Sequence, residues 1–483
     1  MSHGPQTNRR KVSAAPIVAF RRLGVSRAPH DTRVILGTVH VLGAGIGGLF
    51  AARVLSDHAE RVVVVDSDAA TADITGAPRP GVPQGAQLHT LLPGGLRQLE
   101  CWYPGAARQA EARGAVLPGA ERSVSYVDGI RQVDTPNVNP LVCSRPLLEG
   151  LIRERTLGLP NVETAVGRAT GLTYDRQRVT AVRYETVAGE TTQATDFVVD
   201  ATGRGSRIAH WLGAGGWPRP TLERLPVGVR YTTAYFRRAP DWDGPLSGIA
   251  RLNAQPGFAG AAVNAIEGGR WAVMLASYGD APVGWDADTF RARCEELPPV
   301  YREAVRGRPM GPLVSFRHPE SRWRHLEELE NLPARLAVTG EAVASFNPVY
   351  GQGMSSAMLH ASCLSEYLRG DPDLDTPARH FFDLQYVVTA AAWQTSTAAD
   401  AARLGPVGHA ATPAQRRIVW ATRNVLAAAV HDREVATAFR DVSFMLTHPA
   451  TLLEAGLVRR AARANGVTDA EFDREYGPLG EAH

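Results

Sequence analysis

Apolar residues are grouped along this chain in two different periods. Short unbroken runs, Thr38-Val-His-Val-Leu42, Arg61-Val-Val-Val-Val65, Thr195-Asp-Phe-Val-Val-Asp200 and Leu336-Ala-Val338, read as buried strands. Alternating stretches, Val227–Tyr235 and Arg270–Ser277, read as strands of a second sheet. Helical stretches are predicted from Leu49 to about His58, from Ile208 to Leu212 and from Ser355 to Leu368. Residues 391–483 are rich in Ala and Arg with helical periodicity throughout. The elements alternate as an α/β chain requires.

The turns between these elements carry the chemistry. The first strand runs into Gly43-Ala-Gly45-Ile46-Gly-Gly48, then a helix, then a second strand ending in Asp66. Gly43 permits a tight turn, Gly45 lets a pyrophosphate approach the backbone, and Gly48 lets helix and strand pack closely. Free N–H groups and the positive end of the helix then meet the phosphates. Asp66 stands at the tip of the second strand, where a carboxylate accepts hydrogen bonds from adenosine ribose hydroxyls. Strand, glycine turn, helix, strand and acid together spell a dinucleotide site, without separating FAD from NAD.

Composition narrows the function further. At 483 residues, the chain is long enough for two or three domains. Residues 1–33 hold seven basic side chains against Asp31, a net +6, whereas the whole chain carries +3; the remainder is therefore near −3. Basic charge confined to a tail argues against nucleic-acid binding. Residues 1–35 are expected to be a disordered basic tail, with an over-long translation start or a weak targeting segment as alternatives. No run approaches the ~18 consecutive apolar residues of a spanning helix. Cys101, Cys143, Cys294 and Cys363 are scattered, so no metal is indicated and a reducing cytoplasm is the default location. Lys11 is the one lysine in the chain. A Walker A loop and imine chemistry both need a lysine, and both are excluded.

Two further segments specify the nucleotide. Asp200-Ala-Thr-Gly203-Arg-Gly-Ser206 follows one strand, and Gly340-Glu341-Ala-Val-Ala-Ser-Phe346-Asn-Pro348-Val-Tyr350-Gly351-Gln-Gly353-Met354 follows another. Glu341 can accept from ribityl hydroxyls, and the Gly351–Gly353 turn can present N–H groups to a flavin's pyrimidine edge. The trio GAGIGG…D, DATGRGS and GEAVASFNPVYGQGM resembles group A flavoprotein monooxygenases of the para-hydroxybenzoate hydroxylase fold. The stretch from Arg79 to Leu92, Cys143-Ser-Arg145-Pro-Leu-Leu, Gly269-Arg-Trp271-Ala-Val and Phe346–Gly351 are similar to the flavin epoxidases of bacterial polyether biosynthesis. The likeness runs from about residue 38 to 400.

That resemblance implies a Rossmann-like, discontinuous FAD-binding domain over 36–225 and 310–390. It also implies an inserted β-sheet substrate domain over 226–309, forming the floor of the substrate cavity, and a helical cap over 391–483. FAD contacts are expected at Gly43, Gly45, Ile46, Gly48, Asp66, Ser67, Arg79, Arg145, Asp200, Gly203, Glu341, Pro348, Gly351, Gly353 and Met354. The implied activity is transfer of one oxygen atom from O2 to a largely apolar natural-product intermediate, by epoxidation or hydroxylation through a flavin C4a-hydroperoxide. The cofactor carries that chemistry, so no catalytic acid or base is assigned. Candidate cavity residues are His89, Tyr231, Tyr235, Trp271, Tyr278, Phe316, Phe346 and Tyr350, with Arg317 and His318 read as solvated polar positions. Three positions depart from the family: Glu341 replaces Asp, Thr202-Gly203 replaces the Asp-Gly tied to NAD(P)H use, and Gln87 replaces a His. Reduction is therefore expected from NAD(P)H directly or from a separate flavin reductase. A flavin dehydrogenase or oxidase, and a non-catalytic FAD-binding partner, are the alternatives. A halogenase lacks its Trp-x-Trp-x-Ile-Pro motif and its lysine here.

Overall fold

The computed structural model describes residues 16–25, 28–68, 79–136, 140–252, 258–279, 286–404 and 412–477. Its central sheet has five parallel strands in the order Leu336–Val338, Phe197–Asp200, Leu36–Leu42, Ala59–Asp66 and Val162–Val166. Both faces are covered, which is why these strands read as continuous apolar runs rather than as alternations. Register decides where their ends fall. Leu42 pairs with both Val65 and Asp200, and Asp200 pairs with Val338, so four carboxyl ends finish level. The three glycine-bearing turns, far apart in sequence, therefore emerge along one edge.

Helix Ile46–Leu55 packs against helix Gln352–Arg369, and Gly47 faces Ala357 across the contact. The chain is the mixed α/β fold that the sequence implies. The second sheet has eight strands and is larger than the 226–309 segment. Its order is Ala344–Ser345, Val314–His325, Thr221–Arg237, Arg270–Tyr278, Phe258–Ile266, Ser247–Arg251, Ser123–Val127 and Ile130–Arg131. Strands from both sides of the expected insert thus join it, and the Arg322–Ser345 pairing ties it to the nucleotide-binding layer. Along Arg270–Tyr278 the period of two divides the residues between faces. Trp271, Val273 and Leu275 pack into the core with Phe290 and Tyr301, while Met274, Ala276 and Tyr278 face the other way.

The N-terminal expectation needs correcting within the described residues. Pro16–Leu23 forms a helix, with Ala19, Phe20 and Leu23 buried. Phe20 meets His448 edge-on at 5.9 Å between ring centroids, and the Leu23 carbonyl accepts from Gln98 Nε2 at 3.2 Å. A three-to-four spacing of apolar residues inside a basic segment produced this helix, and net charge concealed it. Residues 1–15 lie outside the described residues. From Arg379 on, helices Arg379–Leu404, Pro413–Ala428, Arg433–Ser443, Ala455–Ala464 and Asp469–Tyr476 follow, the first crossing the expected boundary at 391 and two of them opened by capping boxes at Thr412 and Thr468. No helix among the described residues is long and apolar enough to cross a membrane.

Candidate functional site

The first turn is built by close contact. Gly43 has φ of 103°, and a Cβ there would stand 2.5 Å from the Ala201 carbonyl oxygen. At Gly48 a Cβ would stand 1.9 Å from the Gly43 carbonyl oxygen. Gly45 is different. Its φ of −73° and ψ of 177° suit any residue, and nothing lies within 4 Å of a Cβ built on it. Neither strain nor packing within the protein asks for glycine at that point, so the open space is what the missing side chain leaves for a ligand.

Beside this turn, Asp66 accepts from the Ala44 N–H at 2.6 Å and the Asp68 N–H at 2.7 Å. Arg79 Nη1 lies 3.4 Å from the same carboxylate. The other Arg79 amino group bonds Glu149, which also receives Arg145 Nε at 2.8 Å. Burial would raise the Glu149 carboxyl, but the Arg145 and Arg79 guanidinium groups outweigh it and hold the group below its ordinary value. One buried carboxylate thus fixes two arginines on the cleft wall.

The second turn corrects an expectation. Asp200 is fully buried and does not line the cleft. Its carboxylate accepts from Thr202 N at 2.9 Å, Thr202 Oγ1 at 2.6 Å and Ser206 Oγ at 2.5 Å. Asp200 therefore shapes the turn that presents Thr202, Gly203 and Arg204 to the cleft. Gly48 likewise supports from behind rather than lining it.

At the third turn, Gly340 has φ of 61° and donates its N–H to His360 Nδ1 at 3.1 Å. Burial pushes the His360 imidazole down to about 3, so the ring stays neutral and can accept. Glu341 opens to solvent within the cleft yet is walled by protein. That enclosure raises its carboxyl, against the pull of Arg145 and Arg204. The Asn347 side chain accepts from Val349 N at 3.2 Å, and Gly351, at φ of 68°, starts helix Gln352–Arg369. Nothing lies within 4 Å of a Cβ built on Gly353.

All three turns open into one cleft of about 2780 Å³. It is lined by Gly43, Gly45, Ile46, Asp66, Ser67, Arg79, Arg145, Gly203, Glu341, Pro348, Gly351, Gly353 and Met354, and also by His89, Tyr231, Tyr278, Phe316, Phe346 and Tyr350. Tyr235 and Trp271 are absent from its walls. The Tyr235 hydroxyl donates to the Ala86 carbonyl at 2.9 Å, and Trp271 is buried edge-on against Trp242. His89 Nδ1 lies 2.9 Å from the Gln87 carbonyl oxygen, and burial together with Arg145 brings the imidazole down to about 4. Gln87 ties this segment to the second sheet, donating to Val314 O at 3.0 Å and accepting from Thr233 Oγ1 at 2.8 Å.

Arg317 and His318 both line the cleft; Arg317 is exposed, as a solvated polar position should be, whereas His318 is buried. His318 is buried with Nε2 unpartnered among the described residues; burial, then Arg204 and Arg322, bring its imidazole down to about 3. Sequence reasoning also missed the C-terminal helices as cleft wall, where Val419, Leu426 and Phe439 contribute. A signal was present: Ile418, Val419 and Leu426 remain 48%, 65% and 48% exposed on one helix.

The FAD binding domain family model matches residues 37–370 of this chain. The chain belongs to that family. Protein Rv3254 of Mycobacterium tuberculosis is 32% identical over 349 residues, covering 68% of this chain and 72% of that protein. Kynurenine 3-monooxygenase of Salinispora tropica is 27% identical over 362 residues, covering 70% and 74%. The structure of p-nitrophenol 4-monooxygenase PnpA from Pseudomonas putida superposes with a TM-score of 0.60 at 20% identity, over 85% of this chain and 99% of that one. At that identity the likeness speaks for fold alone. The family is one of FAD-dependent monooxygenases, and the site fits the cofactor on its own geometry. Gly45 and Gly353 leave space that no backbone constraint explains. Arg79 Nε is buried without a partner among the described residues.

Proposed function

We propose that this chain is an FAD-dependent monooxygenase that places one oxygen atom from O2 on a largely apolar small molecule, as an epoxide or a hydroxyl group. The observation that carries the reading is the continuity of the cleft. Its walls join the Gly43–Gly47 turn, Arg145, Glu341 and the Gly351–Met354 turn to residues of the second sheet and the C-terminal helices. Bound FAD supplies electron transfer and oxygen activation; the protein supplies position and surroundings.

In this reading the Gly45 gap and the start of helix Ile46–Leu55 receive the pyrophosphate, with Asp66, Ser67 and Arg79 around the adenosine ribose. Glu341 accepts from the ribityl chain, and Arg145 lies against the ring system. The N-terminus of helix Gln352–Arg369 offers N–H groups and a positive end to the ring's pyrimidine edge, favouring an anionic reduced state. Met274, Ala276, Val349 and Leu426 give the cleft an apolar lining that excludes water from the reacting face. No side chain is needed to carry a proton to the substrate. NAD(P)H or a separate flavin reductase supplies the electrons. The name of the kynurenine enzyme, a sequence relative over 70% of this chain, supports oxygen insertion as the reaction type. A natural-product alkene or ring is the substrate class we favour.

The test is turnover of candidate alkenes and arenes under isotopically heavy oxygen gas, with product masses measured. Gain of one heavy oxygen atom supports the proposal. Substrate oxidised with stoichiometric hydrogen peroxide and no heavy oxygen would instead make the protein an oxidase or dehydrogenase. A flavin that neither NADH, NADPH nor a flavin reductase can reduce would leave a binding protein.

A further inference from the structure

Most enclosed arginines of this protein have an oxygen to hold. Arg79 and Arg145 share Glu149, Arg153 bonds the Ala44 carbonyl, Arg204 the Glu320 carbonyl and Arg324 the Ala342 carbonyl. Arg251 differs. It ends the strand Ser247–Arg251 of the second sheet and lines the cleft. Among the described residues no carboxylate, carbonyl or hydroxyl bonds its guanidinium, which lies over the Phe439 ring, 5.4 Å from the centroid. Enclosure by protein lowers its affinity for a proton, with the Tyr350 hydroxyl the one countering influence. A ring face softens the cost of burying a cation but does not neutralise it.

Its neighbour sharpens the point. Arg440 on helix Arg433–Ser443 is depressed by its own burial and then by the Arg251 charge. It donates to Thr135 Oγ1 at 2.7 Å and Ser125 Oγ at 3.3 Å, both neutral acceptors. The acid that also influences it, Asp134, is bonded by Arg131 at 3.1 Å. Arg251 on the cleft wall and Arg440, which feels its charge, are thus two cations with no acid bonded to either among the described residues. Both are half-buried, and a partly desolvated charge is favoured when something pairs it; the open side of Arg251 is the cleft.

We propose that Arg251 is the anchor for a carboxylate on the substrate. The inference rests on the cleft being the substrate chamber of the monooxygenase reading above, and it narrows the substrate class to an apolar body bearing an acid. A guanidinium fork matches a carboxylate with two parallel bonds. The apolar part of the substrate lies along Met274, Ala276 and Val349, which line the same cleft. The Phe439 ring, 5.4 Å from the guanidinium carbon, backs the fork on one side. Arg251 is thereby a specificity-determining residue with no part in the oxygen chemistry.

The experiment is an equilibrium titration of the flavin-loaded protein without reductant. Benzoate and decanoate are each compared with their methyl esters, and binding is read from the change in the bound flavin's visible spectrum. Each acid should bind at least about 10-fold tighter than its ester. Arg251→Gln should abolish that preference while leaving ester binding in place. Arg251→Lys should restore only part of it, because a point charge lacks the fork; if Arg251→Gln does not retain flavin, the Lys variant carries the comparison. Equal binding of acid and ester, no binding of either acid, or a preference unchanged in the variant would overturn the inference. So would phenyl phosphate binding more tightly than benzoate. The titration needs neither oxygen nor reductant. Its failure leaves the monooxygenase reading standing, and absence of heavy-oxygen incorporation leaves an acid preference standing.

Discussion

Replacing Gly48 by Ala puts a methyl carbon 1.9 Å from the Gly43 carbonyl oxygen, 3.0 Å from the Gly43 carbonyl carbon and 3.2 Å from Ala201 Cβ. Ordinary carbon–oxygen contacts are longer by more than an ångström, and the nearest obstructing atoms are the Gly43 carbonyl group, in the turn at the end of the first parallel strand. The helix Ile46–Leu55 must move off its strand. Overpacking of this kind costs about 1–3 kcal/mol when side chains can yield, and here none can, so about 3 kcal/mol or more is expected. At roughly 2 °C per kcal/mol for a large domain, the apoprotein melts at least ~5 °C lower. Gly45→Ala, three residues away, should do the opposite. No atom lies within 4 Å of the new methyl and the backbone angles are ordinary. Alanine is a poorer helix N-cap than glycine by up to about 1 kcal/mol, and the smaller entropy of its unfolded chain offsets much of that. Apoprotein stability should stay within about 1 kcal/mol, while FAD affinity falls by about 10-fold or more, because the methyl fills the approach to the helix N-terminus. Scanning calorimetry of deflavinated protein and fluorescence titration with FAD separate the two effects. The reasoning is refuted if Gly45→Ala lowers the apoprotein melting temperature as much as Gly48→Ala, or binds FAD as tightly as the parent.

Three other perturbations test separate parts of the structure. Asp200→Asn turns an amide N–H2 toward the donors of Thr202 and Ser206, and should cost about 1–3 kcal/mol in thermal unfolding together with weaker FAD retention; unchanged melting would show that the turn does not depend on that carboxylate. Phe20→Ala empties a fully buried site against His448 and should lower stability by about 3 kcal/mol, where a disordered segment would show no change. His325 is opposed by burial but raised to about 8 by Glu327 and Glu223, its two ring nitrogens lying 2.7 and 2.9 Å from those carboxylates. A base raised in the folded state stabilises it below its ordinary value of 6.5, and that stability is lost as pH rises through 8. Urea unfolding should therefore show parent and His325→Gln differing by about 2 kcal/mol more at pH ~6 than at pH ~9; parallel pH curves would refute the assignment.

Local order was enough to read the first glycine turn. Strand, turn, helix, strand and acid fall within about thirty residues, and each step is set by short-range sterics at Gly43 and Gly48. The unbroken apolar runs likewise announced a sheet covered on both faces, and the turns at Gly340 and Gly351 carried their own glycines. Facing was the harder matter. A strand's period of two says that Trp271 and Met274 lie on opposite faces, but not which face meets the cleft; only the packing of Trp271 against Trp242 decides it. Tyr231 and Tyr235 share a face, yet the Tyr235 hydroxyl is tied to the Ala86 carbonyl off the cleft, while Tyr231 packs beside Phe316 on its wall. Asp200 ends its strand pointing inward, a choice made by the hydroxyls of Thr202 and Ser206. The clustering of Arg251 with Phe439 and Arg440 joins positions nearly two hundred residues apart. Such contacts obey no sequence period, because they arise where separate elements are brought together by the burial of their other faces.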